Sequence, residues 1–277
     1  MTPTALQGQP VPAPASQLKL LQKDVVESIR LWRLWTHLGW GDILKQYRRS
    51  FLGPVWISLN TGIFIVVFSL IGAQLFNLPL QSYIAYFCTG HVFFSFFSSL
   101  ISEGCQTYIA SEAFLKQTPY PKMAFVLRVV WRNLIMLAHN FPVVLGVLWW
   151  AGLLPDVRLG WFALGLVVTT AAGTLLVALL GAIAARFRDV PMIVTSIMQI
   201  AFFVTPVMWQ PQQLTERAQL VVLFNPLAAL LDMLRSPMLG QVPPHSAVLL
   251  AIATLAVLAL LYLALYLHAR RRIVYWL

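Results

Sequence analysis

A chain of 277 residues that is 59% hydrophobic and only 10% charged has too little polar surface to cover a soluble domain, which carries about 25% charge. Lipid must be its main solvent, so a single membrane domain is expected rather than a string of soluble ones. The net charge of +10 does not indicate nucleic acid, because no basic patch comes with a soluble reading surface; it fits basic residues gathered on cytoplasmic membrane flanks.

Residues 1–16 hold four prolines and no charge. They read as a disordered tail and lack the basic start and continuous apolar core of a signal peptide. Residues 17–45 are expected to form a cytoplasmic interface helix, amphipathic over 17–38. Leu18, Leu21, Val25, Ile29 and Trp32 share one side at helical spacing, and Lys19, Lys23, Glu27 and Arg30 share the other.

Residues 46–277 then carry six uncharged runs long enough to cross a bilayer, over 54–76, 83–101, 133–154, 159–185, 191–209 and 246–267. The first opens on Pro54, where a missing N–H costs nothing, and the third contains Pro142, a predicted kink. Between runs five and six, 218–231 is apolar but too short for a crossing, and it reads as a re-entrant segment. The fold class is therefore an all-α membrane protein with six transmembrane helices, an N-terminal amphipathic interface helix and a re-entrant outer segment. With six crossings, all but Arg158, Arg217 and Arg235 of the 19 Lys and Arg residues fall on the side of the termini. The positive-inside rule makes that side cytoplasmic, and a seventh crossing would put Arg270–Arg272 outside.

Several chemistries are missing. There is no phosphate loop, no His-Glu-x-x-His and no Gly-x-Ser-x-Gly, so neither ATP hydrolysis by that route nor the common hydrolase chemistry is expected. Cys88 and Cys105 lie seventeen residues apart, about 25 Å along a continuous helix and too far for a disulfide. No Cys-x-x-Cys occurs, and no metal site is expected. Apart from histidine, the span centres hold no ionisable group, which weighs against ion-coupled transport. His91 and His139 are open to two readings, as substrate or proton contacts or as neutral histidines hydrogen-bonded between helices.

Three segments carry a resemblance. Tyr47, Arg48, Arg49, Gly53 and Pro54 belong to a basic stretch leading through a Gly-Pro break to Trp56. This is similar to the Tyr-Arg-x-Ser-x-Leu-Gly-Pro-x-Trp motif that opens the first span of polysaccharide ABC exporter permeases, within the type-2 ABC exporter superfamily. That group includes O-antigen, capsule and teichoic-acid exporters. The stretch 110–121 resembles the family's cytoplasmic coupling segment, and 224–235 resembles its Asn-Pro-containing periplasmic segment before the last span. The likeness covers about residues 20–275; Gln46 stands where an arginine is common, and the proline-rich tail is unmatched.

The resemblance implies an inner-membrane permease with both termini cytoplasmic, working as a homodimer with two copies of a separate nucleotide-binding ATPase. The partner would bind ATP and Mg, and this chain would need no cofactor. The substrate implied is a lipid-linked polysaccharide, O-antigen first. The alternatives are a type-2 permease for a lipid or drug, and a membrane-embedded glycan-modifying enzyme. Glu112, Phe114, Leu115, Lys116 and Tyr120 are the expected ATPase-coupling residues, with the loop Arg186–Asp189 as a second contact or a mere topology anchor. Trp56, Phe64, Phe68, Phe202, Phe203 and Trp209 are candidates to stack on sugar rings in the channel, against the simpler reading of packing with lipid and neighbouring helices. Asn225, Pro226, Asp232 and Arg235 are candidates for a periplasmic gate, with Asp232 and Arg235 spaced to pair on one helix face.

Overall fold

The computed structural model describes residues 14–48, 53, 55–117, 120–213, 215–269 and 273–276. Among them no strand occurs. The α-helices are α1 (Pro14–Arg30), α2 (Trp32–Gln46), α3 (Val55–Leu75), α4 (Leu80–Gly104), α5 (Glu112–Gln117), α6 (Lys122–Trp150), α7 (Leu159–Arg186), α8 (Val190–Val204), α9 (Glu216–Leu223), α10 (Pro226–Met238), α11 (His245–Ala269) and α12 (Ile273–Trp276). Residues 1–13 of the expected tail, and Arg49 and Pro54 of the motif before the first span, lie outside the described residues.

Among the described residues five helices, α3, α4, α6, α7 and α11, are long and apolar enough to cross a membrane. The fifth predicted span, 191–209, is helical only as α8, whose 15 residues rise about 22 Å against about 30 Å of hydrocarbon. It stops because Pro206 disfavours helical geometry at Thr205, which is extended with φ −84° and ψ 138°. The third span was expected to begin near Asn133, yet α6 begins at Lys122. Its first turns carry Arg128 and Arg132, which are paired with acidic groups of other helices rather than left in lipid. α6 also runs through Pro142 without ending.

The expected single interface helix is two helices. The break falls at Leu31, with φ −82° and ψ 26°, and Trp35 Nε1 donates across it to Ser28 O at 3.0 Å. α2 packs along α6. Ile43 is buried there, and the approach is close at Gly39, where a Cβ would stand 3.2 Å from the Arg128 carbonyl.

α4 is the centre of the bundle, with α3, α6, α7, α8 and α10 packed around it. Its most apolar stretch is 72% buried within the chain, against 17% for α3, so α4 is a core helix and α3 a rim helix. Phe93, Phe94, Phe96 and Phe97 are all buried, as a run that circles its helix requires. Cys88 and Cys105 are buried free thiols on this helix and at its end.

The stretch expected to re-enter as one piece is a helix pair, α9 and α10, broken at Asn225. Asn225 Oδ1 accepts from Leu227 N at 3.0 Å, and Pro226 takes the first helical position, where it loses no bond. α9 is largely exposed, whereas α10 is buried from Ala228 to Met238 save Asp232. Its approach to α7 is close: a Cβ on Gly165 would lie 2.2 Å from the Met233 carbonyl oxygen.

Candidate functional site

The non-helical stretch after α8 sets the geometry. A Cβ on Gly90 would meet Val207 O at 2.8 Å, so this stretch presses on α4 ten residues into that helix, roughly 15 Å from its first turn. Irregular backbone at membrane depth must satisfy its carbonyls inside the protein. Tyr83 Oη donates to Met208 O at 2.9 Å, and Tyr86 Oη lies 3.1 Å from Pro206 O and 3.0 Å from Trp209 O. Arg235 Nη1 donates to Pro206 O as well. Trp209 Nε1 donates to Phe203 O at 2.9 Å, and Asn225 Nδ2 donates to Thr205 Oγ1 at 3.1 Å.

Arg235 is only 4% exposed. A buried guanidinium needs a counter-charge and hydrogen bonds. It has Asp232 at 2.5 Å, the Pro206 carbonyl, and the Tyr86 ring 4.2 Å from its centre. The predicted i, i+3 pair therefore forms, and Asn225, Asp232 and Arg235 converge on the end of α8.

A row of rings runs from α3 through α4 to α8. Phe68 and Phe87 centroids are 4.5 Å apart, Phe64 and His91 4.7 Å, Phe94 and Phe202 5.4 Å, and Phe202 and Phe203 5.4 Å. Four of the six ring candidates, Phe64, Phe68, Phe202 and Phe203, thus join one array through His91, Phe87 and Phe94. Trp209 is tied to the break below it. Trp56 stands apart, half-exposed and without a ring partner among the described residues.

Alongside these rings α4 and α8 bound an open groove of about 460 Å³. One wall presents Ser95, Ser98, Ser99 and Ser102, and the other presents Thr195 and Gln199. His91 lines its end, with Nδ1 buried and unbonded among the described residues. His139 instead has Nδ1 2.9 Å from Ile135 O within its own helix, and its carbonyl accepts from Ser58 Oγ of α3.

At the opposite end, charges tie three helices. Arg128 meets Asp42 of α2 with two bonds of 2.7 Å. Arg132 reaches Asp42 at 3.5 Å and Glu103 at 2.5 Å, and Asn133 Nδ2 donates to the same Glu103 oxygen at 2.7 Å. The paired fork geometry fixes α2 and α4 against α6.

The expected coupling segment forms the short helix α5. Leu115 is buried and Tyr120 half-buried, which anchors the segment and leaves Phe114 and Lys116 exposed. Lys116 Nζ donates to Glu112 Oε1 at 2.6 Å; this bond and the ammonium charge hold the Glu112 carboxyl below its ordinary value. α12 packs against α5 and α7, and Arg186 lies 5.2 Å from the Phe187 ring and 5.4 Å from the Trp276 ring. Tyr47 closes α2, where burial pushes its phenol up, and Arg48 is exposed beyond it. Gly53 has φ +55°, the left-handed backbone that glycine adopts freely.

Residues 33–239 match the family described as ABC-2 type transporter. The chain belongs to that family. The match runs from α2 to the end of α10 and so takes in the groove, the break and the charge ties of this ABC-2 transporter subunit. Similar proteins include the O-antigen export system permease protein RfbA of Klebsiella pneumoniae, 23% identical over 194 residues, 69% of this chain and 74% of its own. RfbA of Myxococcus xanthus is 23% identical over 221 residues, 79% of this chain and 85% of its own. Membership makes the chain a multi-pass membrane subunit of an ABC transporter, in which an ABC ATPase is the expected partner.

Sequence reasoning missed Tyr83, Tyr86, the groove serines and the Asp42–Arg128–Arg132–Glu103 ties. Arg128 and Arg132 were counted only as topology charges. Their i, i+4 spacing, with Asn133 next to them, was the available signal of an inward polar face. Among the described residues no cluster of His, Cys, Asp or Glu could hold a metal ion.

Proposed function

We propose that this chain is the channel-forming subunit of an ATP-driven exporter that moves a lipid-linked polysaccharide of the O-antigen class across the inner membrane. It works as a homodimer with two copies of a nucleotide-binding subunit, which binds ATP and Mg, and it keeps both termini in the cytoplasm. The observation that carries the reading is the ring array beside an open, hydroxyl-lined groove. Sugar rings have apolar faces and hydroxylated rims, and aromatic side chains can stack on those faces without gripping one position. The O-antigen export named for the relatives supports the same substrate class.

In this reading a second copy closes the open side of the groove, and Phe64, Phe68, Phe202 and Phe203 face the passing chain. Asn225, Pro226, Asp232 and Arg235 hold the outer constriction, and Trp209 sits at its edge. α5, with Glu112, Phe114, Leu115, Lys116 and Tyr120, takes the push of the ATPase and passes it through α12 and the Arg186–Asp189 loop. The test is co-purification with a co-expressed ABC ATPase subunit, followed by ATPase assay with and without lipid-linked glycan. The expected result is a stable complex stimulated by glycan. A complex stimulated only by a lipid or drug, or a chain that purifies without an ATPase, would overturn the reading.

A further inference from the structure

Hydroxyl side chains inside apolar helices ordinarily bond back to their own helix, because lipid offers no partner. This protein does so at Thr89, which donates to Ala85 O at 2.8 Å, at Thr174, which donates to Thr170 O at 2.7 Å, and at Thr254, which donates to Leu250 O at 2.7 Å. Ser69, Thr169 and Thr170 do not, but their hydroxyls are buried, whereas the unbonded groove serines of α4 open on a cavity. Ser95, Ser98, Ser99 and Ser102 recur at helical spacing on one face, over about 11 Å of helix, and each is half-buried at the groove wall. Among the described residues none of the four hydroxyls has a hydrogen-bond partner. Across the groove the Gln199 amide is exposed and likewise unbonded, while Thr195 is spent on Pro191 O at 2.8 Å. One groove therefore holds several unused groups that both donate and accept.

The groove is equally defined by what does not line it. Among the described residues no Lys, Arg, Asp or Glu lines it. Arg132 is committed to Glu103 and Asp42, and Arg235 to Asp232 and the break. Once a second copy closes the groove, as the exporter reading has it, a carboxylate or phosphate brought here would lose its water and meet no counter-charge, whereas a sugar hydroxyl would exchange water for serine or amide. Phe94, Phe202 and Phe203 supply flat apolar surface at the same level.

We propose that this groove takes an uncharged, hydroxyl-rich glycan and selects against acidic polymers, with Ser98 and Ser99 as specificity-determining residues. The inference rests on the glycan-exporter reading and narrows its substrate class. A packing surface for another helix, the other use of such a face, is an outcome of the test.

The permease–ATPase complex is reconstituted in vesicles with two oligosaccharides on the same lipid anchor, one of neutral hexoses and one with a uronic acid in every repeat. Wild type should move the neutral glycan at least about tenfold faster than the acidic one. Ser99→Lys should lower that ratio by raising acidic transport, and the double variant Ser98→Ala, Ser99→Ala should slow neutral transport while the complex stays intact. Equal wild-type rates, or an alanine variant that transports normally, would overturn the inference while leaving glycan export standing. An active ATPase that moves neither glycan would overturn the exporter reading itself. The wild-type ratio decides the matter even where the lysine variant does not assemble.

Discussion

α8 and α10 are both too short to cross a bilayer and meet at the same break, yet they solve different problems. α10 is buried on nearly every side, capped by Asn225 and carrying an Arg235 bonded to Asp232 and to the Pro206 carbonyl. α8 leaves Met192, Ile193, Ile197, Ile200 and Phe203 exposed, with one buried residue, Met198. The contrast teaches that the irregular stretch at Thr205–Gln210 is held from the α4 and α10 side, while α8 keeps a free face. Burial serves anchoring in one helix, and exposure leaves the other available to substrate or to a second copy.

The firmest way to break this contrast is Arg235→Ala. It leaves Asp232 without its counter-charge and removes the Arg235 bond to the Pro206 carbonyl, which keeps only Tyr86 Oη, and should cost about 3–5 kcal/mol, as removing one member of a buried pair does. Thermal unfolding in detergent measures it, and a loss under about 1 kcal/mol would show that the break holds itself. Gly165→Ala comes next, because the new methyl meets the Met233 carbonyl and must push α7 from α10; overpacking of this kind costs about 1–3 kcal/mol. Asn225→Ala should cost about 1 kcal/mol through the lost cap, and Asn225→Asp should restore part of it. Phe203→Ala sharpens the comparison from the other side. It should change stability by less than about 0.5 kcal/mol, since the ring is exposed, yet slow glycan transport severalfold. A Phe203 variant that unfolds as readily as Gly165→Ala would erase the distinction.

Much of this was legible in the residues. Long apolar runs mark α3, α4, α7 and α11 because lipid demands them, and Asn225-Pro226 announces a helix start through capping chemistry. The Asp232–Arg235 pair follows from helical spacing. Other features depend on tertiary partners that no local pattern contains. The first turns of α6 look like a polar loop until Asp42 and Glu103 neutralise Arg128 and Arg132. The end of α8 was placed five residues late, because apolar composition continues past Val204 while Pro206 has already broken the helix. Leu31 interrupts the N-terminal amphipathic stretch with no Gly or Pro to signal it. Trp56 and Phe64 look equivalent by spacing, and only the position of His91 and Phe87 sets Phe64 apart. The groove serines were overlooked since a serine in an apolar run is ordinarily satisfied by its own helix.

The measurement closest to the centre of this account is thiol labelling of Ser99→Cys in the assembled complex. Wild type serves as the control, since its Cys88 and Cys105 are buried. A membrane-impermeant reagent should label the new cysteine in the empty transporter and lose access when lipid-linked glycan is loaded without ATP. A cysteine that stays unlabelled in both states, or that labels equally with and without glycan, would show that the α4–α8 groove is not the path of the substrate.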